Sequence, residues 1–120
     1  MPFEAEAIGG TQQMVDDVPL TARSAGKVYV VGAVPMVATR DRGATDKGPG
    51  ALSVRGGIYR MACNASIAKG VTVWWDDTNK RVTTTATSNV HFGYTASASY
   101  SSNTEIDVVH EPQGVTGAIV

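Results

Sequence analysis

The sequence predicts an all-β domain: a small antiparallel β-sandwich or β-barrel, jelly-roll or tulip-like, with an extended N-terminal arm and a C-terminal tail. Three observations carry this. Short runs of β-branched and aromatic residues recur at close spacing. Turn-forming residues separate them, with 13 glycines among 120 residues. No stretch sustains a helical period. Such a pattern belongs to sandwiches and barrels rather than to helical or βαβ folds.

Residues 1–17 begin by alternating Phe3, Ala5 and Ala7 with Glu4 and Glu6, then turn at Gly9-Gly10. They fit either an edge strand or an extended arm, as an N-terminal segment needs something to tie it down. Val18 to Thr21 reads as a short strand whose Pro19 points to an edge or an end. Ser24-Ala25-Gly26 is a turn into a strand over Lys27–Val31. Gly32-Ala33 breaks that strand, and Val34–Ala38 resumes extended structure, Pro35 again indicating an edge or a bulge. Residues 40–50 form a loop rich in glycine and charge. Ala51–Val54 and Ile58–Met61 read as two strands flanking Arg55-Gly56-Gly57, a tight-turn or bulge signal. Cys63–Lys69 has weak helical character and is too short to nucleate a helix.

The best-defined stretch runs from Gly70 to Ala98. Thr72–Trp75 and Arg81–Thr85 are hairpin arms joined by Asp76-Asp77-Thr78-Asn79-Lys80. The aspartates cap the turn, and Asn79 is the residue expected at φ > 0. A third strand, His91–Ala96, follows Ser88-Asn89 and extends the hairpin into an antiparallel meander. Ala96–Thr104 is small and polar, Glu105–His110 is the final strand, and Glu111-Pro112-Gln113-Gly114 stops it. The apolar tail Val115–Val120 remains. Alternation places Val28, Val30, Ile58, Val73, Val82, Ile106 and Val108 in the core. The divisions are an arm (1–17), a β domain (18–110) and a tail (111–120), with one core that buries roughly two-thirds of the unfolded chain's surface.

Several chemistries are disfavoured. Lys+Arg 10 against Asp+Glu 11 gives a net charge of −1 with no basic patch, which argues against nucleic acid or anionic membrane as a partner. The apolar run Val28–Ala38 is too short to span a bilayer. The N-terminus lacks a basic and then apolar leader pattern, so it does not read as a signal peptide, and the Asn64-Ala65-Ser66 acceptor carries no weight without one. Cys63 is the only cysteine, and His91 and His110 are the only histidines. Three scattered residues do not make a metal site, and Cys63 reads as a structural thiol rather than a nucleophile. Gly43 to Gly48 has the glycine spacing of a phosphate loop, but Pro49-Gly50 replaces the required lysine and hydroxyl. No cofactor, metal or catalytic residue is expected. Trp74 and Trp75 are adjacent on a strand and point to opposite faces, so they do not form one sugar-stacking platform.

The sequence resembles the small capsid cement, or decoration, proteins of tailed bacteriophages. The matching pieces are Gly26-Lys27-Val28-Tyr29-Val30-Val31-Gly32, Gly56-Gly57-Ile58-Tyr59 and Gly70-Val71-Thr72-Val73-Trp74-Trp75-Asp76. The last continues through the threonine-rich run 81–87 to Gly93-Tyr94, and the likeness covers about residues 18–110. Residues 111–120 depart from it, since family members commonly end soon after the last strand. The resemblance implies a non-enzymatic protein of the virion. It would be made in the host cytoplasm, bind the outer surface of the capsid and stabilise contacts between major capsid protein subunits. Self-association is expected, a homotrimer preferred and a dimer possible, because joined copies gain avidity on a lattice. The chain ends are the expected contacts with capsid or self: Phe3 and Ile8, Trp74, and Val115, Ile119 and Val120. The alternative function is a carbohydrate-binding or adhesive module displayed on a virion.

Overall fold

One carboxylate builds the central hairpin turn. Asp76 Oδ1 accepts from the backbone N–H of Thr78 (3.1 Å) and Asn79 (3.2 Å), and Oδ2 accepts from the Asn79 amide at 2.9 Å. These bonds, the Asn79 side chain foremost, hold the Asp76 carboxyl below the usual carboxylate range. The left-handed residue is Lys80 (φ 55°) rather than the expected Asn79. Asn79 engages Asp76 with both its N–H and its side chain, and the reversal completes one residue later.

The computed structural model describes residues 4–15, 23–39, 41, 52–100 and 104–117. The strand expected at Val18–Thr21 and the glycine-spaced run 43–50 lie outside them. The described strands are β1 (Ala5–Val15), β2 (Val28–Val31), β3 (Val34–Ala38), β4 (Leu52–Ala62), β5 (Thr72–Asp76), β6 (Arg81–Thr83), β7 (Val90–Thr95) and β8 (Glu105–His110). All pairings are antiparallel. The order is β2-β3-β4-β8-β7-β5-β6, with β1 added to β4. No helix occurs among the described residues.

Three sequence expectations are corrected here. The meander fails because β7 pairs with β5 instead of β6. β6 ends at Thr83, whose hydroxyl takes the Thr85 N–H, and a turn closed by Asn89 N–H to Ala86 O returns the chain to the other side of β5. Second, the two strands expected around Gly56-Gly57 are one strand of eleven residues. Both glycines have positive φ (86° and 85°), which makes the site a bulge within a continuous strand. The β1 register shifts opposite it, and a Cβ on Gly10 would lie 2.8 Å from Gly57 Cα. Third, Pro35 is not in an edge strand, since β3 lies between β2 and β4. β4 reaches only Val37 and Ala38, so the missing Pro35 N–H leaves no ladder bond unmade.

β4 therefore holds β1 along one edge and shares its other edge between β3, at Leu52–Ser53, and β8, at Ile58–Ala62. The sheet curls into a half-barrel. Gly26 O accepts from the Ala5 N–H while the Gly26 N–H donates to Ala38 O, both at 2.8 Å, so the start of β1 meets the turn before β2.

Val28, Val73, Val82, Ile106 and Val108 are buried as read from the sequence, and Val30 packs against the core in part. Ile58 is not in the core. Past the bulge the inward positions of β4 are Tyr59 and Met61. Aromatic rings fill the centre: His110 lies 5.7 Å from Tyr59 and 4.6 Å from Phe92, and Phe92 lies 6.5 Å from Trp75. His110 is fully buried and its Nε2–H donates to Pro35 O at 2.7 Å, joining β8 to β3. Its Nδ1 has no partner among the described residues.

Two predictions arise from this core. Burial lowers the His110 pKa to about 4, so on acidification the unfolded chain takes up the proton first. His110 thus contributes its full stability above about pH 6.5, and that contribution is lost as pH falls toward 4. The total is about 3 kcal/mol, with buried His91, also lowered, adding in the same direction. Urea unfolding between pH 7 and 4 should show this slope, and His110→Leu should reduce it to the share of His91. Separately, a Cβ on Gly93 would stand 1.9 Å from Val109 O. Gly93→Ala should cost more than the 1–3 kcal/mol typical of overpacking, because backbone must move to relieve the clash, and thermal melting measures it.

Candidate interaction surface

On each strand of a curled sheet one set of side chains faces the core and the alternate set faces out. The outward set of β7, β8, β4 and β1 forms a transverse row by register: Tyr94 beside Val109, Val109 beside Ile58, Ile58 beside Gly9. Tyr94 is 43% exposed, and Val109 and Ile58 are half-buried. Ile8, 40% exposed, adjoins Gly9 at a β1 register shift.

Charged pairs flank this apolar row. On one side Arg60 stands opposite Asp107 and donates to it at 3.2 Å. The Tyr100 hydroxyl accepts from Arg60 (2.8 Å) and donates to Asp107 (2.7 Å), and the guanidinium lies 5.0 Å from the Tyr100 ring centre. The bond to Asp107 raises the pKa of both Arg60 and Tyr100. On the other side Arg55 pairs with Glu111 at 3.0 Å. An apolar centre with a polar rim is the anatomy of a protein-binding face.

The described part of the C-terminal segment forms a strap beside this face. Beyond β8 residues 111–114 lie outside any strand, and Thr116 then bridges to Val90. The His91 N–H donates to Val115 O (3.0 Å) and the Gly117 N–H to Asn89 O (2.8 Å). The Trp74 indole N–H donates to Gly117 O at 2.8 Å, and the Gln113 N–H donates to His91 Nδ1 at 3.0 Å. Trp74 meets the His91 ring edge-on at 5.7 Å.

Of the expected contact residues, the structure places Trp74 under this strap, Val115 within it and Ile8 exposed on β1. Phe3, Ile119 and Val120 lie outside the described residues. Trp75 is fully buried on the opposite face from half-buried Trp74, so the two indoles share no platform. Sequence reasoning missed the row of Tyr94, Val109 and Ile58. Val109 alternates visibly with Val108, but the bulge hides the parity of Ile58.

Nothing reactive converges among the described residues. No group of three His, Cys, Asp or Glu side chains is close enough to hold a metal ion. Cys63 is buried, and burial pushes its thiol pKa up, away from a reactive thiolate. One cleft of about 350 Å³ lies between β1, the Ala25-Gly26 turn and Val37, floored by Tyr59 and Gln12, which bond to each other at 2.6 Å. A second, of about 460 Å³, lies between β2 and the Asp77–Lys80 loop, with mixed charges. Neither carries a nucleophile beside a base.

The organised features of this curled β domain are thus a surface row and a strap. The model of the phage cement protein family matches residues 10–110, and the chain belongs to that family. Membership places it at the virion capsid, in association with capsid proteins and in a stabilising role. No curated protein and no solved structure matched.

The strap generates a prediction. Trp74→Phe keeps the ring packing and removes the bond to Gly117 O, at a cost of about 1 kcal/mol. Amide exchange at His91 and Gly117 should quicken, while Val108 in the core stays protected.

Proposed function

We propose that this chain is a non-enzymatic cement protein that binds the outer surface of a tailed-phage head and braces neighbouring major capsid protein subunits. It is made in the host cytoplasm and added to the shell, with no nucleic acid or membrane as partner. The observation that carries the reading is the strap, in which Gly117 O accepts from the Trp74 indole and Val115 O from the His91 N–H, and which is followed at once by Ala118-Ile119-Val120. Trp74, Val115, Ile119 and Val120 are assigned to the capsid contact, and Phe3 and Ile8 to capsid or self. Main-chain pairing to a sheet edge on the shell supplies affinity, and apolar side chains add to it.

Removing residues 118–120 leaves every strap bond described above in place, so the variant separates binding from folding. It should melt like the full chain. Burial of Ile119 and Val120 contributes roughly 1.5–3 kcal/mol each, so co-sedimentation with expanded heads should weaken at least about tenfold. Unchanged affinity would show that the C-terminus is not the anchor.

A further inference from the structure

We propose that His91 is an acid-sensitive latch for the C-terminal strap: protonation of its imidazole releases residues 112–117 from β5 and β7 while the core stays folded. The carrying observation is the direction of one hydrogen bond. The Gln113 backbone N–H donates to His91 Nδ1 at 3.0 Å. A backbone N–H can only donate, so Nδ1 presents its lone pair and the ring proton sits on Nε2. A second proton can enter only at Nδ1, where it would stand against the Gln113 N–H. A charged ring and a closed strap are therefore incompatible.

The surroundings of the ring favour the neutral form while the strap is closed. His91 is 4% exposed, and burial, the largest influence on it, lowers its pKa. From β5 the Trp74 ring meets it edge-on at 5.7 Å and does not titrate. From the strap, the Glu111 carboxylate favours the charged form, as does the backbone at Gly93. Glu111 is itself paired with Arg55 of β4 at 3.0 Å. His110 lies on the next strand, with its ring on the inner face against Pro35 O.

Few other bonds hold the strap. Val115 O takes the His91 N–H, the Gly117 N–H goes to Asn89 O, and Gly117 O takes the Trp74 indole N–H. Thr116 bridges to Val90 between Gly114 and Gly117, both at left-handed φ (71° and 81°). A segment with so few bonds opens locally, well below the free energy of global unfolding. Glu111 is the pivot, because its N–H donates to Phe92 O at 2.9 Å and its carboxylate holds Arg55, and neither bond uses the His91 ring. Once the strap opens, the ring regains an ordinary pKa of about 6.5. Closure is thus fully favoured above that pH and is lost as pH falls through the lower value of the closed state.

Only the consequence for virions, weaker attachment in mild acid, rests on the strap being the shell contact. Nuclear magnetic resonance of the purified chain tests the latch without capsids, between about pH 7.5 and 5, above the range where carboxylates titrate. At the upper end the His91 ring should be the Nε2–H tautomer. As the ring titrates, the exchange protection of the Gln113 and Gly117 amides should fall about threefold or more. The Trp74 indole signal should shift with the same midpoint, while the Val108 amide stays protected. His91→Gln supplies an amide oxygen as acceptor and does not titrate, so its strap should show no such change over this range, with circular dichroism unchanged. If that variant fails to fold, the ring titration of the unmodified chain still decides. Co-sedimentation with heads over the same range separates the two readings: a strap that opens without weakening attachment supports the latch and refutes the strap as the shell contact. A ring that titrates while the strap amides keep their protection would overturn the latch. So would global unfolding before the strap opens, or equal opening in His91→Gln.

Discussion

The close approach of β1 and β4 at their glycines is the constraint on which the architecture depends. Gly10 leaves room for the Gly57 backbone, and Gly56 and Gly57 both take left-handed φ, so two long strands stay paired through a bulge. At this bulge β4 passes from β3 to β8 while keeping β1 on its other side. A flat sheet thereby becomes a curled one, and the curl brings His110 of β8 within hydrogen-bonding distance of Pro35 in β3.

That curl also divides the side chains by role. The inner face receives the large rings and is nearly free of charge; its buried polar groups include His91 and His110, whose neutral forms burial favours. The outer face receives charges, among them Arg60 and Asp107 paired across strands and Arg55 paired to Glu111 at the start of the strap. Paired surface charges contribute little stability in water. Their consequence is different: Arg60–Asp107 and Arg55–Glu111 leave this part of the face without net charge.

Much of this was legible in the sequence, and the failures share a cause. Local chemistry was readable where it acts locally. The Asp76 turn, the Gly32-Ala33 break, the limits of β8 and the opposed indoles of Trp74 and Trp75 all follow from neighbouring residues. What failed depends on contacts distant in sequence. Ile58 has the composition of a core residue, and only a two-glycine bulge answered by Gly10 reverses its parity. β7 chooses β5 over β6 because Thr83 and the 86–89 turn end β6 early, and no propensity reports strand order. The outer row shows the same limit. Tyr94, Val109, Ile58 and Gly9 come from four segments, and only the register sets them side by side.

Several modest contacts are consistent with life on a capsid lattice. On the lattice, a chain held at one contact meets its others at raised effective concentration, so modest contacts sum without new chemistry. The division of the molecule fits that logic. The core, centred on Trp75, Phe92 and His110, holds the shape, while the strap at Trp74 and the row at Val109 stand on separate outward-facing strands.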